Sequence, residues 1–335
     1  MTDLSRRLVL GAAMASLSGC APLVLRPEAN IGSSDAPIFD GDTFVSFDGA
    51  RLPLSRWAPV GGPVRHVIVA LHGMNDYAIA FQDDGPVFAS KGVALYAYDQ
   101  RGFGRGPHRG LWAGQSLLTA DLKAAVQAAR RLHPGIPVTV LGHSMGGAVA
   151  ISAFADPDPP EAEGLILAAP AIWGWNAQPP LNRIALWLSA HVTPGAHLSP
   201  PAWVARKYQS SDNIPVLIRM GRDPNLLFTT RVDAVYGLVG LMQAAADRIG
   251  AVRIPVLYLY GANDRFVPRG PTLRAVRRLK SADRTAFYPD GWHLLLRDLH
   301  GDRVRADILA WLDDHGAALP SDSLSIPDGL RRPVS

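Results

Sequence analysis

The sequence predicts an α/β fold with a mostly parallel central sheet, helices on both faces and a helical cap inserted over the sheet. Short, nearly continuous apolar runs alternate with segments of helical periodicity, which is typical of parallel strands buried between helices. One long gap, residues 171–253, replaces this alternation with apolar helical pieces rich in Trp, Leu and Pro. The length of 335 residues and the hydrophobic fraction of 48% suit one large globular domain that needs no disulfides.

The N-terminus is typical of an export signal. Two arginines precede the apolar stretch 8–19, and Cys20, the single cysteine of the chain, closes it. Leu17-Ser18-Gly19-Cys20 resembles a bacterial lipobox, which predicts a signal peptide over 1–19, cleavage before Cys20 and lipidation of its thiol. The basic start also resembles a twin-arginine signal, so the sequence leaves the export route open. We expect a protein anchored to a bacterial membrane on its periplasmic side, and Ala21 favours the outer membrane.

Composition divides the remaining chain into three parts. Residues 20–40, rich in Pro, Gly and Ser, predict a lipid-anchored tether. Residues 41–317 predict the folded domain, with the cap at about 171–253. Residues 318–335, rich in Pro, Ser and Asp, predict a flexible tail.

The folded domain is predicted to begin with a hairpin. Residues 43–47 alternate apolar and polar side chains, and Asp48-Gly49 turns the chain into a strand over 51–57. Buried strands are predicted at 64–71, 93–98, 138–142, 165–169, 255–260 and 285–288. Helices are predicted at 117–132, 146–154, 271–279 and 304–315.

The sequence Gly142-His143-Ser144-Met145-Gly146 lies between a predicted strand and a predicted helix. The turn is so tight that only glycine fits on each side of the serine, which holds the Ser144 hydroxyl in the open above the carboxyl edge of the sheet. The helix N-terminus behind it favours negative charge developing on a bound substrate. Ser144 is therefore predicted to be a nucleophile.

A serine nucleophile needs a histidine base oriented by a carboxylate, and this motif expects the chain order serine, acid, histidine. Asp264 lies on the loop after the predicted strand 255–260, and His293 lies on the loop after 285–288. Both loops follow the carboxyl ends of their strands, where Ser144 also lies. Asp264 and His293 are the predicted acid and base.

Five other residues compete for these roles. Asp283 precedes its strand, Asp290 would directly precede the base, and His300 lies about two helical turns further on and is expected at the surface. His72 and His143 lack a later carboxylate in the required order, so we interpret them as structural side chains beside the turn.

Two backbone N–H groups should stabilise the oxyanion that forms on the substrate. One is predicted to come from Met145, directly after the nucleophile. The other should come from the loop His72-Gly73-Met74-Asn75, with the N–H of Met74 as the first choice and that of Gly73 as the alternative.

These motifs together resemble a known family. They occur in this order: His72-Gly73-Met74, Tyr98-Asp99-Gln100-Arg101-Gly102-Phe103-Gly104, Gly142-His143-Ser144-Met145-Gly146-Gly147, Gly261-Ala262-Asn263-Asp264 and Asp290-Gly291-Trp292-His293. The set is similar to the monoacylglycerol lipase and lysophospholipase branch of the α/β-hydrolases, over roughly residues 41–317. The resemblance implies hydrolysis of a carboxylic ester through an acyl-enzyme without a cofactor. It assigns the nucleophile, acid and base to Ser144, Asp264 and His293.

The same resemblance places the oxyanion donors at Met74 and Met145. It implies a small-molecule lipid ester, a monoacylglycerol or a lysophospholipid, as substrate, and a membrane as partner through Cys20. The lipobox and the Trp- and Pro-rich cap depart from soluble members and leave the exact substrate open. As a group, the apolar cap residues are expected to line a pocket for an acyl chain; they are Trp173, Trp175, Leu186, Trp187, Leu188, Leu238 and Met242.

Several functions are disfavoured. The net charge of +4 is small and scattered, which argues against a nucleic-acid partner. The ten histidines show no metal-ligand spacing, so no catalytic metal is expected. The segment 99–104 lacks a phosphate-binding pattern and is interpreted as a structural turn. Two alternatives to a lipid esterase remain: an esterase or acyltransferase for non-lipid substrates, and a non-catalytic surface lipoprotein.

Overall fold

The computed structural model describes residues 21–28, 36–199 and 208–330. Among them, nine strands form one sheet in the order β1-β2-β3-β5-β4-β6-β7-β10-β11, and β8 pairs with β9. The strands are β1 (Ile38–Asp40), β2 (Thr43–Val45), β3 (Arg51–Trp57), β4 (His66–Leu71), β5 (Val93–Tyr98), β6 (Val138–His143), β7 (Gly164–Ala168), β8 (His197–Leu198), β9 (Thr230–Arg231), β10 (Val256–Gly261) and β11 (Arg284–Tyr288).

The helices cover both faces of this sheet and build the cap. They are α1 (Gly85–Ser90), α2 (Gly114–Leu132), α3 (Met145–Phe154), α4 (Pro180–Val192), α5 (Ile214–Gly221), α6 (Val232–Arg248), α7 (Arg269–Val276), α8 (Gly301–Asp313) and α9 (Ile326–Gly329). In the part of the chain that the structure describes, no helix is long and apolar enough to cross a membrane.

The predicted fold class is confirmed. From β5 through β11 the neighbouring strands of the large sheet run parallel. Strands β5, β6, β7 and β10 are buried along their whole length, as their nearly continuous apolar sequences predict. The predicted hairpin is also present, because β2 and β3 pair antiparallel with Phe44 opposite Leu52.

The tether predicted over 20–40 differs from the structure at its end. Ile38–Asp40 forms β1, which pairs antiparallel with β2 and stacks Phe39 on Tyr96 at 4.9 Å between ring centroids. Within 21–28, Leu25 N donates a hydrogen bond of 2.9 Å to Trp112 O. A three-residue strand is too short to show a pattern of alternation, and so the sequence did not reveal it.

The flexible tail predicted over 318–335 is wrong for the residues up to 330. Leu324 forms a bridge with Phe287 of β11, and α9 follows with Ile326 fully buried. Asp307 of α8 accepts hydrogen bonds from the N–H and hydroxyl of Ser321. The segment therefore covers the outer edge of the sheet, although its composition is polar.

The cap consists of α4, α5, α6 and the small β8–β9 ladder. The sequence analysis predicted the helical cap but not this ladder. Helix α6 is its base, since α6 packs against α3 behind Ser144 and carries α4 on its other side. Gly237 of α6 lies against the Trp112 indole, where an added Cβ would come within 2.1 Å of Nε1. This close approach fixes the cap above the carboxyl ends of the parallel strands.

Candidate active site

Ser144 lies at a strained turn between β6 and α3. Its φ of 51° and ψ of −115° lie outside the regions that L-residues ordinarily adopt. Hydrogen bonds hold this conformation, because Ser144 N donates to Ala168 O at 3.1 Å and Ala171 N donates to Ser144 O at 2.8 Å. The serine side chain is half-buried, whereas His143 and Met145 beside it are buried.

The glycines around the serine are required by close packing. A Cβ on Gly142 would lie 2.6 Å from the Cα of Gly147, and a Cβ on Gly146 would lie 2.4 Å from Leu71 O. Both contacts involve backbone atoms, which cannot rotate away. The predicted reason for glycine on each side of the serine is therefore present in the packing.

The structure brings Ser144, Asp264 and His293 together. His293 Nε2 lies 3.0 Å from Ser144 Oγ, and His293 Nδ1 lies 2.9 Å from Asp264 Oδ2. The charge of the carboxylate favours the tautomer in which Nδ1–H donates to Asp264 and Nε2 accepts the serine proton. This geometry can activate the hydroxyl as a nucleophile.

The Asp264 carboxylate is fixed by its own loop. Its second oxygen, Oδ1, accepts hydrogen bonds from Phe266 N at 2.8 Å and from Val267 N at 2.9 Å. Tyr260 at the end of β10 donates its hydroxyl to Val267 O. Oδ1 is thus committed to backbone donors, and Oδ2 is left to face His293.

The two predicted oxyanion donors belong to segments that adjoin the serine. Met145 is the first residue of α3, and Met74 follows Gly73, whose built Cβ would lie 3.3 Å from the Cβ of Ser144. Within residues 21–28, 36–199 and 208–330, neither Met74 N nor Met145 N donates a hydrogen bond to another protein group. Both N–H groups are therefore available to a bound oxyanion.

The competing residues lie elsewhere or serve the framework. Asp283 accepts hydrogen bonds from Val256 N and Lys280 N at the opposite edge of the sheet. Asp290 and His300 are exposed. His72 is fully buried, where Nε2 accepts from Gln100 N at 2.9 Å and Nδ1 contacts Gly73 O.

His143 supports the loop that carries the predicted base. Its Nε2 donates to His293 O at 3.0 Å, and the two imidazole rings lie 5.0 Å apart. Burial, with smaller contributions from His293 and Arg297, lowers the pKa of His143 to about 3. The side chain is therefore neutral at physiological pH.

The buried neutral His143 should make stability depend on pH. Because its folded pKa lies below the unfolded value near 6.5, its contribution is complete above pH 6.5 and is lost as pH falls toward 3. Relative to His143→Gln, the wild type should lose about 1.4 kcal/mol of unfolding free energy per pH unit, or about 2 kcal/mol between pH 6.5 and 5. Urea unfolding of both proteins at pH 7 and pH 5 measures this difference. A difference that stays constant would contradict it.

The segment 99–104 is a structural turn, as its sequence indicates. Arg101 is buried between Asp48 and Asp121, with guanidinium–carboxylate distances of 2.6 to 2.9 Å. The Asp99 carboxylate accepts a hydrogen bond from Ala78 N and pairs with Arg105. The charged side chains of Asp99 and Arg101 are thus engaged with other groups of the protein.

Sequence reasoning missed a buried ion pair beside the site. Arg297, four residues after His293, pairs with Asp76, two residues after Met74. Burial acts to raise the pKa of the Asp76 carboxyl, but the guanidinium outweighs this effect and holds the pKa below its ordinary value. The pair ties the loop of the predicted base to the loop of the predicted oxyanion donor. Each residue lies within four positions of a motif, but this spacing does not show that the two side chains pair.

A second missed residue, Asp298, connects the same loop to the cap. Its Oδ1 accepts from the Ser211 hydroxyl at 2.6 Å, and its Oδ2 accepts from Trp292 N at 2.7 Å. Leu294 N also donates to Ser210 O at 2.9 Å. Burial raises the pKa of Asp298 to about 6. Both neighbours of His293 in the chain are thus hydrogen-bonded to groups that hold the cap in place.

The apolar cap residues fall on two sides. Trp173, Leu186 and Leu238 are partly buried and pack against the core, and Met242 is buried in it. Trp187 and Leu188 instead lie on the outer side, where a cavity of about 450 Å³ is lined by Trp175, Arg183, Ile184, Trp187, Leu188 and Tyr236. Of the seven residues expected to line an acyl-chain pocket, Trp175, Trp187 and Leu188 line this outer cavity, so the pocket beside Ser144 stays a prediction.

The geometry of this site tests neither the predicted lipid anchor nor the expected absence of a catalytic metal. Cys20 and the signal segment 1–19 lie outside the described residues. No cluster of three or more His, Cys, Asp or Glu side chains suited to a metal occurs among the residues that the structure describes.

The parallel sheet, the strained serine turn and the Ser–His–Asp arrangement define an α/β-hydrolase. The model of the family described as "Serine aminopeptidase, S33" matches residues 62–300, and the chain belongs to this family.

Relatives and solved structures agree with this assignment. The monoacylglycerol lipase of Mycolicibacterium smegmatis is 26% identical over 286 residues, which is 82% of this chain and 96% of that protein. Human monoglyceride lipase is 26% identical over 271 residues, 78% of this chain and 86% of that protein. The crystal structure of Paleococcus ferrophilus monoacylglycerol lipase superposes with a TM-score of 0.66 at 22% identity, over 79% of this chain and 99% of that chain.

Proposed function

We propose that the protein is a serine hydrolase that cleaves carboxylic esters of lipid type, monoacylglycerols or lysophospholipids, through an acyl-serine intermediate. The observation that carries the proposal is the continuous hydrogen-bonded chain from Ser144 through His293 to Asp264 at a strained strand–helix turn. The names of the relatives in Mycolicibacterium smegmatis and human support the lipid ester as substrate.

In the first half of the proposed reaction, His293 Nε2 takes the proton of the Ser144 hydroxyl as Oγ attacks the ester carbonyl carbon. The new Oγ–C bond converts the carbonyl oxygen to an oxyanion, which the N–H groups of Met74 and Met145 stabilise. The Asp264 carboxylate stabilises the imidazolium. As the intermediate collapses, the bond to the alcohol oxygen breaks, and His293 returns the proton to the leaving alcohol.

In the second half, water replaces the alcohol. His293 takes a proton from the water as the hydroxide attacks the acyl carbonyl, and the same N–H groups stabilise the second oxyanion. The Ser144 Oγ–acyl bond then breaks, the proton passes from His293 to Oγ, and the fatty acid leaves. Every proton taken up is returned, and the cycle requires no cofactor.

The inner side of the cap supports a substrate with a long acyl chain. Trp173, Leu186 and Leu238 are apolar and only partly buried against the core, and we propose that they contact a long acyl chain that enters under the cap. Leu238 lies two residues after Tyr236 in α6, which is about 200° around the helix axis. It therefore lies on the side of α6 opposite to the outer cavity that Tyr236 lines.

Butyryl and octanoyl esters of one alcohol should therefore differ strongly as substrates. Each buried methylene contributes about 0.8 kcal/mol, so four of them should lower the activation free energy by about 3 kcal/mol and raise kcat/KM on the order of a hundredfold. Measurement of kcat/KM for acetyl, butyryl, octanoyl and palmitoyl esters tests this expectation. Leu238→Trp should reduce the octanoyl preference by shortening the space under the cap, whereas Trp187→Ala on the outer side should leave it unchanged.

A steady decline in kcat/KM from acetyl to octanoyl would contradict the lipid-ester proposal. The cap residues would then serve only to hold the cap together. A short-chain or non-lipid esterase, which the same three residues could serve, would be the better interpretation.

We further propose that the protein is exported and anchored through a lipidated Cys20, facing the periplasm and preferring the outer membrane. The support is the sequence Leu17-Ser18-Gly19-Cys20 at the end of a signal-like segment. Such an anchor would keep the enzyme beside substrates that partition into membranes.

Mass spectrometry of the mature N-terminus, taken from bacterial membranes, tests the anchor. The expected mass corresponds to a chain that begins at Cys20 and carries acyl groups, and Cys20→Ser should remain unprocessed and unmodified. An intact segment 1–19, or an unmodified Cys20 in the wild type, would contradict the anchor.

A further inference from the structure

Positive charge is concentrated in one stretch of the chain, contrary to the scattered distribution that the small net charge suggested. Residues 248–284 contain nine arginines and lysines and two aspartates, an excess of seven in a chain whose whole net charge is only +4. The remainder of the protein is therefore slightly negative. The small total charge hides this segregation, because it is the sum of the basic stretch and the slightly negative remainder.

The structure places much of this charge on one surface, which we call the basic face. It consists of Arg253, Arg274, Arg277, Arg278 and Lys280, all exposed. In α7 the buried residues Thr272, Ala275 and Val276 face the core. Helical geometry places Arg274, and Arg277 and Arg278 after the helix, on the opposite side.

The basic face is short of negative partners. None of the ion pairs among the described residues involves its five side chains. Two acids lie near it: Asp283 accepts a hydrogen bond from Lys280 N, and Asp247 lines a cavity together with Arg274 and Arg278. Five cations against these two carboxylates leave an excess of about three positive charges, which attracts an anionic partner.

A second, apolar surface lies on the outer side of α4. It consists of Leu181, Ile184, Trp187, Leu188 and Val192, which are between 48% and 75% exposed. We call it the apolar face. Trp is favoured at boundaries between water and lipid, where its ring is apolar and its N–H is polar.

Helix α6 makes the two faces parts of one surface. Tyr236 lies in the cavity beside the apolar face, and Gln243 and Asp247 lie in a second cavity with Arg274 and Arg278. Residues 236, 243 and 247 fall on one stripe of the helix, about 16 Å long. Hydrogen bonds from Arg278 to Ala246 O and Asp247 O join the basic face to the end of this stripe.

We propose that the basic face and the adjoining apolar face form a docking surface for an anionic lipid bilayer. Basic side chains would bind the anionic headgroups, while Trp187 and the aliphatic side chains of α4 would enter the interface. A nucleic acid would match the charge but offers no partner for exposed aliphatic side chains. The proposal does not depend on hydrolysis, so its failure can be distinguished from failure of the proposed function.

Vesicle co-sedimentation tests the docking surface, with the full chain carrying Cys20→Ser to prevent acylation. We expect binding to vesicles of phosphatidylcholine with about one-third phosphatidylglycerol at ~0.1 M salt, and at least tenfold weaker binding at ~1 M salt or to pure phosphatidylcholine. The variant Arg274→Gln/Arg277→Gln/Lys280→Gln should bind the anionic vesicles on the order of a hundredfold more weakly, roughly fivefold per residue.

A matched variant removes the same charge from the other end of the sheet. Arg51→Gln/Arg56→Gln/Lys91→Gln changes exposed residues on or near β3, five strands and about 24 Å from β10. It should bind vesicles within about twofold of the parent. Both triple variants should hydrolyse a soluble ester at the parental rate, which shows that they are folded.

Three results would overturn the proposal. One is equal binding of the parent to anionic and to pure phosphatidylcholine vesicles. Another is an equal loss of binding in the two triple variants. The third is binding of a duplex oligonucleotide as tight as that of the anionic vesicles and equally sensitive to the α7 substitutions, which would identify a nucleic-acid surface.

Discussion

Replacing Ser144 with alanine should lower kcat/KM for an ester substrate by roughly 10³–10⁶-fold while the fold survives. The hydroxyl oxygen is the only non-hydrogen atom lost, and it is the atom proposed to form the bond to the acyl group. The remaining rate would come from positioning and from the N–H groups of Met74 and Met145. Steady-state hydrolysis of an octanoyl ester, with circular dichroism to confirm folding, measures the effect.

The same experiment tests whether the three residues act as a unit. Because no proton transfer through His293 is useful without the serine, Ser144→Ala/His293→Ala should be no slower than Ser144→Ala alone. Normal turnover by folded Ser144→Ala, or a double variant far slower than the single one, would contradict the proposed mechanism.

Replacing Asp264 with asparagine should lower kcat by about 10⁴-fold with little change in structure. The N–H groups of Phe266 and Val267 require an oxygen at the Oδ1 position, which forces the amide NH₂ to face His293 Nδ1. His293 must then accept at Nδ1 and carry its proton on Nε2, where it can no longer accept the proton of Ser144. A single amide thus sets the wrong tautomer.

Asp290→Asn is the matched control, because Asp290 is an exposed carboxylate in the loop that carries His293. It should keep activity within about threefold of the wild type, since surface substitutions away from special features have small effects. Comparable losses in the two variants would show that loop charge, rather than the tautomer of His293, controls the rate.

The parallel part of the fold was predictable because buried strands have an unambiguous composition. Residues 93–98 are continuously apolar and residues 138–142 nearly so, and the structure has strands there almost to the residue. The elements that were missed are short or depend on distant partners. β8 and β9 have two residues each, and α9 has four, whose burial follows from packing against Phe287 rather than from local sequence.

The grouping of Ser144, Asp264 and His293 was also predictable from sequence. All three follow the carboxyl ends of parallel strands, which meet at one edge of a sheet. The Arg297–Asp76 pair was not predictable, because its partners are 221 residues apart and neither belongs to a motif. The two surfaces of the cap could not be distinguished either, since residues at helical spacing show which side is apolar but not what covers it.

The most direct test of the account is to locate the adduct that a fluorophosphonate forms with the protein. Phosphonylation requires an activated serine, so it reports on Ser144, His293 and Asp264 together without choosing a substrate. Peptide mass spectrometry should find one adduct, on Ser144, and His293→Ala should slow its formation by orders of magnitude. Adduct formation at another residue, or no adduct on the folded protein, would contradict the assignment of Ser144 as the nucleophile.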